Sequence, residues 1–275
     1  MAERPLEVRA RAVRALEVRD LGRIAFPEAH RLQLALVQQR HAGECPDTLL
    51  LCEHDPVITL GRATGERWLR EDDARASRRG RIRVSVAQRP HEVPGPPHVR
   101  LGPGPDTPPD DAVASRPRIR PLPTYRIERG GEATYHGPGQ LVAYPILDLR
   151  EHGRDIHRYI RSLEEVILRV LADFGLRGER REGLTGVWVG EAKIAAIGVA
   201  IRRWISFHGV ALNLDCDLSV YDQIIPCGLP EAKTTTVARE LGEPAGMDAA
   251  KASLVRHFVQ VFCCEVAELF VACEL

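Results

Sequence analysis

The chain has 275 residues, 44% hydrophobic and 28% charged, which suits one large α/β domain or two small ones. Its 38 Lys and Arg balance 38 Asp and Glu, which removes the electrostatic case for a general nucleic-acid binder. No apolar run approaches the ~18 residues of a membrane span, and seven cysteines without a CxxC suggest neither a disulfide framework nor a zinc ribbon.

The opening MAERPLEVRARAVRALEVRD lacks an apolar signal core, so secretion is not expected. Glu3, Glu7, Glu17 and Asp20 argue against a mitochondrial presequence. A cytoplasmic protein with reduced thiols is the expectation, with at most one cysteine chemically special. A strand is expected over Ala15–Leu21. Pro27 then opens a helix over Glu28–Arg40, with Leu32, Ala35 and Leu36 on one face and Gly43 as its stop. Thr48–Cys52 suits a buried strand. In EHDPVITLGR, Pro56 interrupts, Val57–Leu60 resumes as strand, and Gly61 lets the chain turn.

From about Ala74 to Pro121 the chain is rich in Pro and Arg and too poor in apolar residues to offset its ordering entropy. It is expected as a flexible insertion in a single catalytic domain over 1–275. A lid, a partner-docking arm and a passive insert all remain open for it. Order returns with a strand at Thr124–Arg129. Gly130–Gln140 has four glycines and a proline in eleven residues, too glycine-dense for a strand. Leu141–Leu149 is the next strand. Asp155 caps a helix whose Ile156, Tyr159, Ile160, Leu163, Ile167, Val170, Leu171 and Phe174 follow helical spacing up to Gly175.

Val187–Val189 and Lys193–Ile201 flank Gly190-Glu191, a hairpin signal. Arg202-Arg203 turns the chain into a third strand, Ile205–Leu214. This meander can return Cys227 toward Lys193, 34 residues before it. Asp217–Ile224 suits a short helix or turn. Thr234–Leu241 and Asp248–Leu269 are expected as closing helices, the last with Leu254, Phe258, Val261, Phe262 and Val266 inward.

Pro226 and Gly228 put Cys227 on a sharp turn that can present its thiol, with the amides of Gly228 and Leu229 available to an oxyanion. Lys193 interrupts a strand of Ile, Ala, Val and Gly. It either snorkels at an edge or is buried to stabilise a thiolate. The glycines of RGGEATYHGPGQ would let backbone approach a ligand, with Tyr135 and His136 beside them, or simply shape a sheet-edge loop. His208-Gly209 is a second such place, or a core histidine. Arg177, Arg180, Arg181, Arg202 and Arg203 would meet an acidic carrier or form a solvated face.

RGGEATYHGPGQLVAYPILDL, with EHDPVITLGR before it and KIAAIGVAIRRWISFHGVALNL…IIPCGL after it, resembles the signature of the lipoyl (octanoyl) transferase family. The resemblance spans about 48–62 and 124–240. It implies an α/β (α+β) fold like the biotin/lipoyl protein ligase catalytic domain, a mixed sheet flanked by helices. It also implies octanoyl transfer from octanoyl-acyl carrier protein to a lysine of lipoyl domains, those of 2-oxoacid dehydrogenases and glycine cleavage H protein. By that resemblance Cys227 is the acyl-thioester nucleophile and Lys193 lowers its pKa. The acyl substrate is lined by Arg129, Gly130, Gly131, Glu132, Ala133, Thr134, Tyr135 and His136, by Ala196, Ile197 and Gly198, and by Gly209, Val210 and Ala211. No metal, cofactor, nucleic acid or membrane enters the expected chemistry. The Pro/Arg-rich insert departs from the family pattern. Three rivals remain: an ATP-dependent ligase of the same fold, a thiol hydrolase pairing Cys227 with His136 or His208, and a non-catalytic carrier-binding protein.

Overall fold

Strands that are apolar on both faces must be covered on both sides, and the main sheet is built around three of them. The computed structural model describes residues 14–65, 68, 86–87, 122–222, 224 and 233–271. In β2 (Asp47–His54), Leu49 and Leu51 join one core cluster while Leu50 and Cys52 join another. β7 (Gln140–Ile146) divides Leu141 and Ala143 from Val142 and Tyr144 in the same way. In β10 (Ile205–Asn213), Val210 and Leu212 oppose Phe207 and Ala211. This is the period-two alternation of a strand buried on both sides.

These strands sit at the centre of a mixed sheet with β1 (Arg14–Ile24), β8 (Val187–Val189), β9 (Ala192–Arg202), β11 (Lys233–Thr234) and β12 (Cys264–Val271). The order is β11-β9-β10-β7-β2-β1-β12, and β8 also pairs with β9. Helix α1 (Phe26–Ala42) covers one face; α2 (Ile156–Asp173) and α4 (Met247–Phe262) cover the other. Asp155 caps α2 by accepting from the Arg158 N–H at 2.9 Å. The short α3 (Val237–Leu241) is capped by Thr236. A second sheet, in the order β4-β5-β3-β6, joins β3 (Val57–Leu60), β4 (Val86–Ala87), β5 (Thr124–Arg126) and β6 (Ala133–His136). Phe26, Val57, Tyr125 and Ile127 form a cluster of their own at the start of α1.

The hairpin at Gly190-Glu191 and the turn at Arg203, where Arg203 and Trp204 take φ of 51° and 69°, match the expected meander. Five expectations are corrected. The buried face of α1 carries Phe26, Ala29, His30, Gln33, Leu36 and Val37, while Ala35 is exposed. These follow i, i+3, i+4, i+7 spacing from Phe26, and Gln33 Oε1, carried inward with them, accepts the buried His208 N–H at 2.8 Å. The strand expected over Thr124–Arg129 stops at Arg126. The glycine-rich stretch does hold a strand: β6 pairs antiparallel with β3, His136 opposite Val57. Its glycines lie outside the four paired residues, at Gly130, Gly131, Gly137 and Gly139. Val86–Ala87, inside the expected insertion, pairs with β5. The remainder of 74–121 lies outside the described residues, as do Cys227, Gly228, Leu229 and Cys273.

The last correction concerns the C-terminus. Helix α4 ends at Phe262, Cys263 takes φ 51°, and the chain continues as β12, parallel to β1. Val266, expected inward, is 41% exposed. Pairing supplies partners for an edge of β1 that a longer helix would leave open. What remains of the helix is anchored by Phe258 and Phe262, stacked at 4.3 Å and packed with α2. Phe258→Ala is therefore expected to cost about 3–5 kcal/mol, measured by urea unfolding; a loss below about 1 kcal/mol would contradict this packing.

Candidate active site

The loop Arg129–Glu132 is held between the segment after β3 and the main sheet by close backbone contacts. Arg62 N–H donates to Arg129 O at 3.0 Å, Ala63 N–H to Gly131 O at 3.1 Å, and Gly130 N–H to Val199 O on β9 at 2.9 Å. Two glycines make room. A Cβ on Gly61 would stand 2.8 Å from Arg129 Nη1, and one on Gly198 would stand 3.0 Å from Arg129 Cδ. So the GR that ends EHDPVITLGR and the glycine in β9 serve one purpose, the seating of Arg129.

Arg129 is buried and donates through Nη2 to Thr59 O at 2.8 Å and to Thr59 Oγ1 at 2.9 Å. Guanidinium only donates, so the Thr59 hydroxyl passes its proton on to His136 Nε2, 3.3 Å away. This assigns the His136 proton to Nδ1, which faces Gln140 Oε1 at 2.7 Å. Gln140 Nε2 donates to Asn213 Oδ1 at 2.9 Å, and Asn213 Nδ2 to Thr235 O at 3.1 Å. Thr235 N–H donates in turn to the Lys193 carbonyl at 3.0 Å. Every link points the same way.

Lys193 is buried, which removes the edge-lysine alternative. Its Nζ donates to Thr185 O at 2.9 Å and lies 5.0 Å from the centre of the Trp188 ring. Gly186 lets the stem pass: a Cβ there would meet Lys193 Cε at 2.5 Å, and its φ of 132° disfavours any side chain. Thr185 and Gly186 are held from α2. Glu164, fully buried, accepts the Gly186 N–H at 3.1 Å and binds Arg161 at 2.7 Å and Arg180 at 3.2 Å. Arg180 also binds Glu165, and Arg181 donates to Gly190 O. These two arginines thus brace the lysine's surroundings.

A cavity of about 600 Å³ opens between the loop, β9 and β10. Lys193, Arg129–Thr134, His136, Ala196–Gly198 and Gly209–Ala211 all line it. Tyr135 does not: it turns from the cavity and packs edge-on against Tyr221 at 6.0 Å. Strand alternation in β6 explains this, since His136 takes the other side. Residues that sequence reasoning missed also line it, among them Phe26, Tyr144, Ile156, Ile160, Thr185 and Trp188. Glu164 was detectable as a carboxylate inside the apolar stripe of α2, four residues after Ile160 and three before Ile167. Among the described cysteines none lines the cavity. Burial pushes the thiols of Cys216 and Cys264 up to about 12, and raises Cys45 and Cys52 as well.

The fold and this cavity define the class. Residues 117–259 match the family model "Lipoyl protein ligase A/B catalytic domain". A bipartite lipoate protein ligase of Thermoplasma acidophilum aligns with a TM-score of 0.60 at 17% identity, over 95% of this chain and 88% of that one. A lipoate-protein ligase A bound with ATP aligns at 0.59 and 16% identity, over 95% and 90%. The architecture is thus the α+β fold of the lipoate-protein ligases, a mixed sheet flanked by helices.

Sequence relatives narrow the class. The octanoyltransferase of Chloroflexus aurantiacus is 41% identical over 256 residues, 92% of this chain and 96% of the relative. That of Rubrobacter xylanophilus is 42% identical over 249 residues, 90% and 94% of the two chains. The chain belongs to the octanoyltransferase family and is an acyltransferase. Among the described residues no helix is long and apolar enough to cross a membrane.

Two outcomes are expected. Glu164→Gln keeps the side-chain size but loses the charge that Arg161 and Arg180 engage, so Thr185 shifts against Lys193. Steady-state kinetics should show kcat lowered about 10- to 100-fold with KM little changed; a loss of thermal stability alone would contradict the link. The second concerns acid. Burial lowers the imidazole of His136 to about 3 and that of His54 to about 4, against 6.5 ordinarily. Between about 6.5 and 4 the unfolded chain therefore binds more protons than the folded one. Stability should fall as pH falls through that window, by up to about 1.4 kcal/mol per pH unit for each group. Equal urea midpoints at about pH 7 and about pH 5 would contradict it.

Proposed function

We propose that the protein transfers an octanoyl group from octanoyl-acyl carrier protein to a lysine of lipoyl domains, through a thioester on Cys227. The acceptors are the lipoyl domains of 2-oxoacid dehydrogenases and the glycine cleavage H protein, in the cytoplasm. One observation carries this reading. The Lys193 ammonium is pinned in the wall of a largely apolar cavity, and β11, starting six residues after Cys227, pairs with its strand, Thr234 opposite Lys193. The five described cysteines are unpaired, which suits a reducing compartment.

The chemistry follows from those groups. The Cys227 thiolate, stabilised by the ammonium, attacks the donor's thioester carbonyl. The carbon–sulfur bond to the carrier breaks, and the departing thiolate takes a proton from Lys193. The acceptor amine then attacks the enzyme thioester, giving an amide and returning the Cys227 thiolate, while the amine's proton passes to Lys193. Octanoyl methylenes gain about 0.8 kcal/mol each on leaving water before ordering costs. No metal or nucleotide is required.

The buried histidines weigh against the hydrolase rival. His136 has both ring nitrogens engaged and is held neutral, with a pKa near 3, and burial lowers His208 to about 4. Both are weak bases for activating water. The ligase rival shares the fold and differs in needing ATP.

Incubation with octanoyl-carrier protein, without ATP, followed by acid quench should add one octanoyl mass to the intact protein. Cys227→Ala should abolish the gain, and Lys193→Ala should move the pH dependence of Cys227 alkylation upward. No adduct in the native protein, or an undiminished one in Cys227→Ala, would overturn the reading. Transfer that requires ATP and survives Cys227→Ser would favour the ligase.

A further inference from the structure

A side-chain cluster that the transfer reaction does not use meets the cavity at His208, the one of its three members in the lining. His30 lies on α1, Glu128 directly before the loop, and His208 on β10. One ligand atom of each lies within 4.8 Å of the others. His30 and His208 are 3% and 2% exposed, and the Nε2 atom of each is buried without a hydrogen-bond partner. Both nitrogens face the same carboxylate oxygen: Glu128 Oε2 is 3.3 Å from His30 Nε2 and 3.9 Å from His208 Nε2. Buried imidazole nitrogens are normally held in well-formed hydrogen bonds, so two that only converge on one carboxylate oxygen, at ion-pair distance, are a specific feature.

We propose that His30, Glu128 and His208 bind a divalent transition-metal ion of the zinc type. Two imidazoles and one carboxylate suit Zn²⁺ and its neighbours such as Co²⁺ and Ni²⁺ rather than Ca²⁺ or Mg²⁺. Donors about 2.0–2.2 Å from a tetrahedral zinc stand roughly 3.3–3.6 Å apart. Of the three separations, His30 to Glu128 already has that value, His208 to Glu128 needs a small closure of Glu128, which is one-third exposed on its side chain, and the third, between the two imidazoles, is within 4.8 Å.

The backbone is arranged for this meeting. His208 takes φ 55°, rare for a non-glycine residue and unexpected inside a strand. Gln33, one turn along α1 from His30, holds the His208 N–H in that conformation. The two rings stack at 5.3 Å. Opposing charge is also present: Arg202 Nη2 stands 3.7 Å from Glu128 Oε1, and Arg129 follows Glu128 directly. The site is therefore weaker than a closed structural zinc site and its ion exchangeable. A bound ion would join α1 and β10 to the residue that precedes Arg129, stiffening the cavity wall without entering the reaction.

The test is a Co²⁺ titration of the full chain, read by visible absorption. One ion per chain is expected, with ligand-field bands of low coordination number and no thiolate-to-cobalt charge transfer. His30→Phe preserves the ring stack while removing a ligand, and Glu128→Gln removes the charge. Each should weaken binding by more than about a hundredfold, beyond the roughly 10- to 100-fold that outer-shell changes alone can cause. Absence of stoichiometric binding, a thiolate charge-transfer band, or native affinity in both variants would overturn the proposal. If His30→Phe does not fold, Glu128→Gln alone decides.

Discussion

A one-way chain of hydrogen bonds, from the Arg129 guanidinium to the backbone of Lys193, is the constraint on which the site depends. Its direction is set at the start, because guanidinium has no acceptor. Thr59 must then donate to His136, His136 to Gln140, Gln140 to Asn213 and Asn213 to Thr235. Aligned bonds of this kind polarise one another in a low-dielectric interior. Each contributes about 1 kcal/mol net, but a broken link leaves a buried group unsatisfied at about 1–3 kcal/mol. The chain begins at the smaller sheet and ends in the larger one, so it also fixes how the two sheets meet.

Around that chain the cavity takes its form from absent side chains. Gly61 and Gly198 admit Arg129, Gly186 admits the lysine stem, and Gly209 lies against Pro145 and Ala143. Small residues and backbone line the cavity along Gly130–Gly131, Ala196–Gly198 and Gly209–Ala211, facing larger side chains such as Phe26, Tyr144, Ile160 and Trp188. Lys193 is placed from two directions. The hydrogen-bonded chain holds its backbone, while Thr185 O accepts from its ammonium and Glu164 fixes the neighbouring Gly186 N–H.

Much of this was legible in the sequence where local pattern and tertiary demand agree. The β8–β10 hairpins, the capped α2 and the apolar central strands carry period and turn signals that packing then uses. Discrepancies arise where a distant partner decides. The face of α1 runs through Phe26, Ala29, Leu36 and Val37, whose spacing carries His30 and Gln33 inward with them, and a distant partner then satisfies the buried amide: Gln33 accepts the His208 N–H. Cys264–Val271 fits helical spacing as well as alternation, and the edge of β1 selects the strand. Tyr135 stands beside His136 in a motif, yet pleating sends the two to opposite sides. Glu164 was visible as a misplaced charge, but its role required knowing what the Thr185–Gly186 turn holds.

The most direct test of the central claim is a crystal structure of the enzyme trapped as its octanoyl adduct. The account predicts density joining the acyl carbonyl to Cys227 Sγ near Lys193 Nζ. The chain should run between the Arg129–Thr134 loop, Ala196–Gly198 and Gly209–Ala211. An acyl chain bound elsewhere, or a carbonyl remote from Lys193, would contradict it.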